Sequence, residues 1–358
     1  MKPNRNIFKK LNSVNRYRAR TIVTIALLWT IIDVVVILLF NSLPARNKLG
    51  AVLLRELFVF ISSIGISYLL IVELRRLFRN FNLLTALLIK SLILIATAFL
   101  MDLILYSLNS ISVLGVTLKD SFHHFYSDIT DISRLLQKIL YWLILFLITQ
   151  LLIELNEKYS PGVFIDILLG KYVEPKVETR IVMFMDLKDS TPIAEKLGSQ
   201  RYFRFIREFI YQVSNALIEY GGRIYQYVGD EIVVSWLYNK ENTQKSVKAL
   251  IQARRNLNRQ QKDFQKRFGV VPDFRVGVHV GIVTVGEIGV IKKDLAMSGD
   301  TMNTAARIRS YCSELDHRYI ASKEFIQKAK LQESQIEDLG MVELKGKTKE
   351  MQLFALKI

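Results

Sequence analysis

Two short runs decide the fold: Arg180-Ile181-Val182-Met183-Phe184-Met185-Asp186 and Tyr225-Gln226-Tyr227-Val228-Gly229-Asp230-Glu231-Ile232-Val233-Val234. Both are rich in β-branched and aromatic residues, and a Gly-Asp pair of the kind that turns a hairpin breaks the second. Asp186 is therefore expected at a strand end and Asp230 at a hairpin tip. Carboxylates from neighbouring strand ends make a hard, oxygen-rich site suited to Mg²⁺ or Mn²⁺. Such a pair serves chemistry on a nucleoside triphosphate, one ion activating the attacking hydroxyl and the other holding the leaving phosphates. Taken singly, Asp186 caps the next helix and Asp230 fills a turn; the metal reading rests on both together and on residues further along.

Outward from these runs, strands and helices alternate. Lys188-Asp189-Ser190-Thr191-Pro192 follows the first strand, with Thr191 expected as N-cap and Pro192 at the first helical position. The amides of Lys188, Asp189, Ser190 and Thr191 are then expected to face phosphate oxygens. Tyr202, Phe205, Ile206, Phe209, Ile210, Val213, Ala216 and Leu217 recur at helical spacing until Gly221-Gly222. After the hairpin come a long helix (Thr243–Arg267), strand at Phe274–Val280 and Ile282–Val285, and a helix over Thr301–Tyr311. Two late strands are expected near Met341–Lys345 and Met351–Lys357. This is the order of an α+β domain with a ferredoxin-like βαββαβ core and added strands. In Ser298-Gly299-Asp300-Thr301-Met302-Asn303-Thr304-Ala305-Ala306-Arg307, Asn303 and Arg307 share one helix face. Arginine suits charge developing on a transferring phosphoryl group, and asparagine can hold a ribose oxygen. Lys345-Gly346-Lys347 is expected to end a strand and offer an ammonium to a terminal phosphate.

The first part of the 358-residue chain is different in kind, dominated by Leu, Ile, Val and Phe to about Ile153. Four stretches, Thr21–Asn41, Leu54–Ile71, Leu83–Leu105 and Ile139–Ile153 with Leu135-Leu136, approach the ~20 apolar residues that cross a bilayer. They define a four-helix membrane domain (21–155) between a basic N-terminus (1–20) and a connector (156–179), ahead of the soluble domain (180–358). Lys2, Arg5, Lys9, Lys10, Arg16, Arg18 and Arg20, and the run Leu74-Arg75-Arg76-Leu77-Phe78-Arg79, mark the cytoplasmic side. The loop from Tyr106 to Ile132, with Asp120, Asp128 and Asp131, belongs outside. The expectation is an integral protein of the cell inner membrane with both termini cytoplasmic. The net charge of +16 is then a membrane-flanking excess, and no nucleic-acid partner is expected. The first span is too long for a secretory signal and lacks a cleavage site. Asp33, Lys90 and Asp102 are costly inside spans, and Asp33 is expected to pair with Lys90. His123-His124 in the outer loop lack further ligand spacing. Asn156 to Gly162 breaks the fourth span with a Pro-Gly turn. The single Cys312 excludes an internal disulfide.

The soluble half resembles the class III adenylate/guanylate cyclase catalytic domain. The residues that carry the resemblance are FMDLKDST (184–191), YVGDEIVVSW (227–236), GVHVGIVTVGEIG (277–289), GDTMNTAARI (299–308) and LKGK (344–347), in the family's order. The resemblance implies that Asp186 and Asp230, with the Leu187 carbonyl, bind two Mg²⁺ or Mn²⁺ ions per active site. It implies that Asn303 orients the ribose, Arg307 stabilises the transition state, and Lys345 contacts the triphosphate. It further implies a homodimer, in which the aspartates of one subunit face the Asn and Arg of the other. The substrate would be ATP, ahead of GTP, giving the 3′,5′-cyclic nucleotide and pyrophosphate.

At the base-reading positions the chain departs from the family: Gln226 and Ala296 stand where an adenylate cyclase has Lys and Asp or Thr, and a guanylate cyclase Glu and Cys. A Gln amide donates or accepts, so it faces either purine. Two alternatives stand beside this reading. One is a diguanylate cyclase-like enzyme, faintly suggested by Gly229-Asp230-Glu231. The other is a catalytically silent, dimerising regulator. A transporter built on the four spans lacks an internal span repeat.

Overall fold

Alternation at period two explains the central strand. In a computed structural model, Ile181, Met183, Met185 and Leu187 point into one apolar cluster, and Val182 and Phe184 into a second on the opposite face. A strand buried on both sides must sit mid-sheet, and this one does. The structure describes residues 13–40, 49–73, 83–109, 117–158, 166–167, 169–291, 294–347 and 350–358. The chain divides into two compact units, one holding Asn15–Lys158 and the other Tyr159–Ile358.

The first unit has helices α1 (Ser13–Phe40), α2 (Leu49–Tyr68, extended by a π turn over Leu69–Glu73), α3 (Leu83–Asn109), α4 (Leu118–Thr130) and α5 (Ile132–Lys158). Among the described residues, one segment, Val52–Ile71, is long and apolar enough to cross a membrane by length and composition. Thr21–Val36, Leu88–Met101 and Leu135–Leu151 are shorter apolar stretches within α1, α3 and α5. The α1–α5 contact is polar at its centre: Trp29 Nε1 donates to Thr149 Oγ1 at 2.8 Å, beside the Trp29–Trp142 ring pair. Two expectations are corrected here. The basic partner of Asp33 is Arg55 on α2, at 3.1 Å, with the Tyr141 hydroxyl also donating to it; it is not Lys90. The stretch expected as an outer loop contains α4, which starts where Thr117 accepts from the Asp120 amide, so His123 lies on a helix and is exposed. The basic residues before Ser13, the run Leu74–Arg79 and the Ser160-Pro161-Gly162 turn lie outside the described residues.

The second unit runs β1 (Lys176–Leu187), α6 (Ser190–Leu197), α7 (Ser199–Glu219), β2 (Arg223–Val228), β3 (Glu231–Leu237), α8 (Lys240–Phe268), β4 (Phe274–Ile288), β5 (Asp294–Ser298), α9 (Asp300–Glu314), β6 (Tyr319–Ser322), α10 (Lys323–Ala329), β7 (Ile336–Val342) and β8 (Met351–Leu356). The sheet order is β2-β3-β1-β4-β6-β8-β7, with β5 on β4. Strand β1 is antiparallel to both β3 and β4, so the first four strands form the expected ferredoxin-like core. The two strand pieces expected around Gly281 are one continuous β4.

Helices α7 and α8 cover one face. Their apolar spacing turns Phe205, Phe209, Val213 and Leu217 of α7, and Leu250, Leu257 and Phe264 of α8, into the core. The Phe205 ring stands edge-on to Phe264 and Phe268 at 5.5 and 5.3 Å. Such pairs add about 0.5–1.5 kcal/mol each to the burial itself. The other face is covered by α9 and by the connector residue Tyr172, which is fully buried against Val182, Phe184, Val233 and Met297. Arg180, buried on that face, ion-pairs with Glu178 at 2.7 Å and donates to Ser235 Oγ and Tyr172 Oη. The connector is thereby tied to the sheet it precedes.

Helix α9 approaches β4 so closely that Gly277 is needed there. A Cβ at this position would lie 2.5 Å from the Ala305 carbonyl oxygen and also meet the Arg309 backbone. Gly277→Ala is expected to push α9 off the sheet and destabilise the domain by roughly 1–3 kcal/mol. Urea denaturation followed by tryptophan fluorescence measures this, and an unchanged midpoint contradicts the contact.

Candidate active site

The register of β1 against β3 pairs Met185 with Ile232, so the next residue of β1, Asp186, comes beside the Gly229-Asp230 turn and Glu231. Gly229 takes φ +62, as the tight turn requires. Three carboxylates thus converge at one strand end. Burial pushes the Asp186 carboxyl up to about 6; the Arg309 guanidinium opposes this, and Asp230 and Glu231 add to it. Arg309 of α9 lies 3.3 Å from Asp186 Oδ2 and 2.5 Å from Glu231 Oε2. One guanidinium cannot balance three acids, and Asp230 Oδ2 is buried with no hydrogen-bond partner. Crowded acids with an orphaned oxygen fit a divalent cation. The Leu187 side chain is buried in the core, which leaves only its backbone to face the site. Tyr202 completes the surroundings: burial, with Asp230 nearby, pushes its pKa up, and the Ser190 side chain opposes this.

The turn after β1 differs from expectation. The Lys188 amide is not free for an anion, because it donates to the Asp273 carbonyl at 2.8 Å. Asp189 takes a left-handed conformation (φ +57), sits 3.9 Å from Arg275, and occupies the N-cap position of α6. Helix α6 therefore starts at Ser190, and Thr191 and Pro192 are its second and third residues rather than cap and first. The left-handed residue turns the chain earlier than the Pro signal indicates. Ser190 and Thr191 still supply first-turn amides, which lack intrahelical partners.

The remaining expected site residues gather elsewhere. Asn303 is exposed and Arg307 half-buried on α9. Arg307 packs on the next turn region: a Cβ on Gly346 would lie 3.3 Å from its Nη2. Lys345 is exposed in that turn, past the end of β7 rather than within it, and Lys347 ion-pairs with Asp300. Gln226 is exposed on β2, beyond a bulge. Its neighbour Tyr225 accepts the Met297 amide at 3.1 Å, which brings the half-buried Ala296 of β5 alongside. Residues two apart on a helix do not share a face. Arg309 accordingly reaches the acids of its own chain, while Arg307 stands against Gly346. Sequence reading missed Arg309, Tyr202 and the acid at Glu231. The clue to Arg309 was its spacing from Arg307, which places a second cation on the sheet-facing side of α9.

Residues 173–357 match the family model of the adenylate and guanylate cyclase catalytic domain, more than half the chain. The chain belongs to this family. It is similar to adenylate cyclase 2 of Rhizobium meliloti (29% identical over 206 residues, 57% of each chain) and to an adenylate cyclase of Anabaena cylindrica (24% over 215 residues, 56% of this chain and 42% of that one). The chain spans about half the length of these curated relatives. Among solved structures, a bacterial light-regulated adenylyl cyclase aligns with a TM-score of 0.53 at 20% identity, covering 60% of this chain and 64% of that one. That likeness shows the fold.

Two predictions follow from the charges. Arg309→Met removes the only guanidinium touching the acids, among the described residues, and is expected to lower metal-free stability by roughly 1–3 kcal/mol. Added Mn²⁺ should restore most of it; a thermal melt with and without the ion decides. His279, buried on β4 with Nδ1 2.7 Å from Ser322 Oγ, is pulled down to about 4 by burial, partly offset by Glu324. It is neutral in the folded state and charged when unfolded below its ordinary pKa of about 6.5. Its contribution is therefore lost as pH falls from about 6.5 toward 4, approaching roughly 3 kcal/mol. His279→Asn should flatten that part of the melting-temperature profile.

Proposed function

We propose that the chain is a membrane-bound purine nucleotide cyclase. It converts ATP, ahead of GTP, to the 3′,5′-cyclic nucleotide and pyrophosphate at a site shared between two copies of itself. The observation that carries this is the convergence of Asp186 and Asp230, half-buried and short of positive charge, on a family fold that also presents Asn303 and Arg307. Asp186 and Asp230, with the Leu187 carbonyl, would hold two Mg²⁺ or Mn²⁺ ions. When bound, those ions lower the pKa of the attacking ribose hydroxyl and offset phosphate charge. The chain's own residues do the rest. The Ser190 and Thr191 amides receive phosphate oxygens at the start of α6. Asn303 holds the ribose so that O3′ lines up with the α-phosphorus. The O3′–P bond forms as the bond to the pyrophosphate oxygen breaks, the O3′ proton passes to solvent water, and Arg307 and Lys345 meet the charge that develops.

The shared site is supported by the two faces of α9. Arg309 takes the face toward its own Asp186, and Arg307 stands apart from it against Gly346. A second copy supplying Arg307 completes the constellation. Exposed Ile288, Val290 and Ile291, on the arm formed by β4 and β5, are apolar surface suited to a protein contact. The preference for ATP rests on the names of the curated relatives, with Gln226 and Ala296 at the base.

The bilayer reading is supported by side chains turned outward in the helical unit. Leu27, Ile31 and Leu38 of α1, Leu53, Leu57 and Ile61 of α2, Leu88 and Leu92 of α3, and Leu136, Leu140, Leu147 and Leu151 of α5 are all exposed. Apolar surface on several helices at once suits a lipid solvent. With both termini cytoplasmic, the catalytic half meets cellular nucleotides.

The purified full chain with Mn²⁺, offered ATP and GTP separately, is expected to yield cyclic AMP as the main product by mass. Cyclic di-GMP from GTP would overturn the reading. Asp186→Ala, Asp230→Ala and Arg307→Ala should each lower turnover by about 100-fold or more with the dimer intact. Mixing Asp186→Ala with Arg307→Ala chains should recover one working site per heterodimer, and a dead mixture of folded chains rejects the shared site.

A further inference from the structure

A cavity of about 230 Å³ lies away from the residues given catalytic roles above, lined by Arg254, Asn258 and Gln261 of α8 with Asp273, Phe274 and Arg318. Its chemistry is that of a receptor for acceptors. Arg318 gives Nε to Asp273 Oδ2 at 3.0 Å, which leaves the far edge of its guanidinium. Arg254 donates through Nη1 to the Ile358 carbonyl oxygen and has N–H groups to spare. Gln261 donates to Asn258 Oδ1 at 3.2 Å, which leaves the Asn258 side chain with its two amide protons to offer. A separate observation points the same way. Tyr319 is only 4% exposed, and its hydroxyl has no hydrogen-bond partner. The Tyr319 ring packs on Phe274 of the cavity wall at 5.4 Å between centroids, and the charges that act on its hydroxyl are those of the wall residues Asp273, Arg254 and Arg318. A buried hydroxyl without a partner costs about 1–3 kcal/mol, so its retention asks for an occupant.

We infer that this cavity is a binding site for a small oxyanion of the phosphate class. Two guanidinium groups stand in the wall with the one side-chain carboxylate of Asp273, and the donors approach from α8 and from the turn before β6. A tetrahedral oxyanion has acceptors in all those directions, and arginine is the natural partner for it. The place has consequences for the strand end that carries Asp186. Asp273 is the residue whose carbonyl holds the Lys188 amide, so an occupant bearing on Asp273 touches the tether of that strand end.

The test is calorimetric titration of the full chain with inorganic phosphate, in an Arg307→Ala background so that the proposed catalytic arginine is not the receptor. Saturable binding is expected, weakened at least tenfold by Arg318→Gln and several-fold by Tyr319→Phe. Tyr319→Phe should leave the phosphate-free melting temperature unchanged or higher. Absent saturable binding overturns the inference, as does an affinity that neither substitution changes. Binding seen only when Arg307 is present assigns the anion to the active site and equally overturns it. If Arg318→Gln does not fold, Asn258→Ala and Tyr319→Phe carry the comparison. Because turnover is not read, failure here leaves the cyclase reading standing, and the reverse holds as well.

Discussion

The register of β1 between β3 and β4 is the constraint on which the rest depends. It sets Asp186 next to a two-residue turn that holds Asp230, with Glu231 following, so like charges are crowded where burial already disfavours them. A one-residue slip would exchange the two faces of β1, turning Asp186 toward the core under α7 and α8 and Met185 toward the site. The apolar alternation that prevents such a slip is therefore also what aims the carboxylates. Core packing and site geometry are one requirement here.

Around that strand end, each neighbouring element restrains a different part. Helix α9 is seated by the missing Cβ of Gly277 and brings Arg309 onto two of the acids. The Lys188–Asp273 bond and the left-handed Asp189 fix where α6 begins, and so where its free amides point. On the far face Tyr172 and Arg180 bind the connector to the sheet through Glu178 and Ser235. Arg180 is buried with its partner acid, an arrangement costly to break on one side. The connector thus enters the domain as part of its core.

Much of this was legible in the chain because it is local. The period-two runs around residues 181 and 233, the Gly-Asp turn and the 3–4 spacing from Phe205 to Leu217 each specify an element without help from distant residues. The two strand-end aspartates, and the shared face of Asn303 and Arg307, follow from those periods. What sequence reading lost was set by long-range contacts. Asp33 meets Arg55 rather than Lys90 because helix rotation, and not depth alone, chooses the partner. Helix α6 starts before Thr191 because Asp189 accepts a left-handed conformation next to Arg275. Lys345 lies beyond β7, since that strand ends at Val342 and the chain then turns at Gly346. Arg309 was invisible because its role exists only once α9 lies against β1. In the helical half, composition showed apolar stretches, whereas α4 arose from a polar capping signal at Thr117 inside an expected loop.

We propose that Asp186 and Asp230 of one copy hold divalent cations while Arg307 of a second copy meets the substrate phosphates. Manganese anomalous scattering from the full chain crystallised with a non-cyclisable ATP analogue tests this most directly. Manganese peaks are expected between Asp186 and Asp230, with Arg307 from the other subunit on the phosphate chain. No manganese at those carboxylates, or an Arg307 reaching the analogue from the same chain, contradicts it.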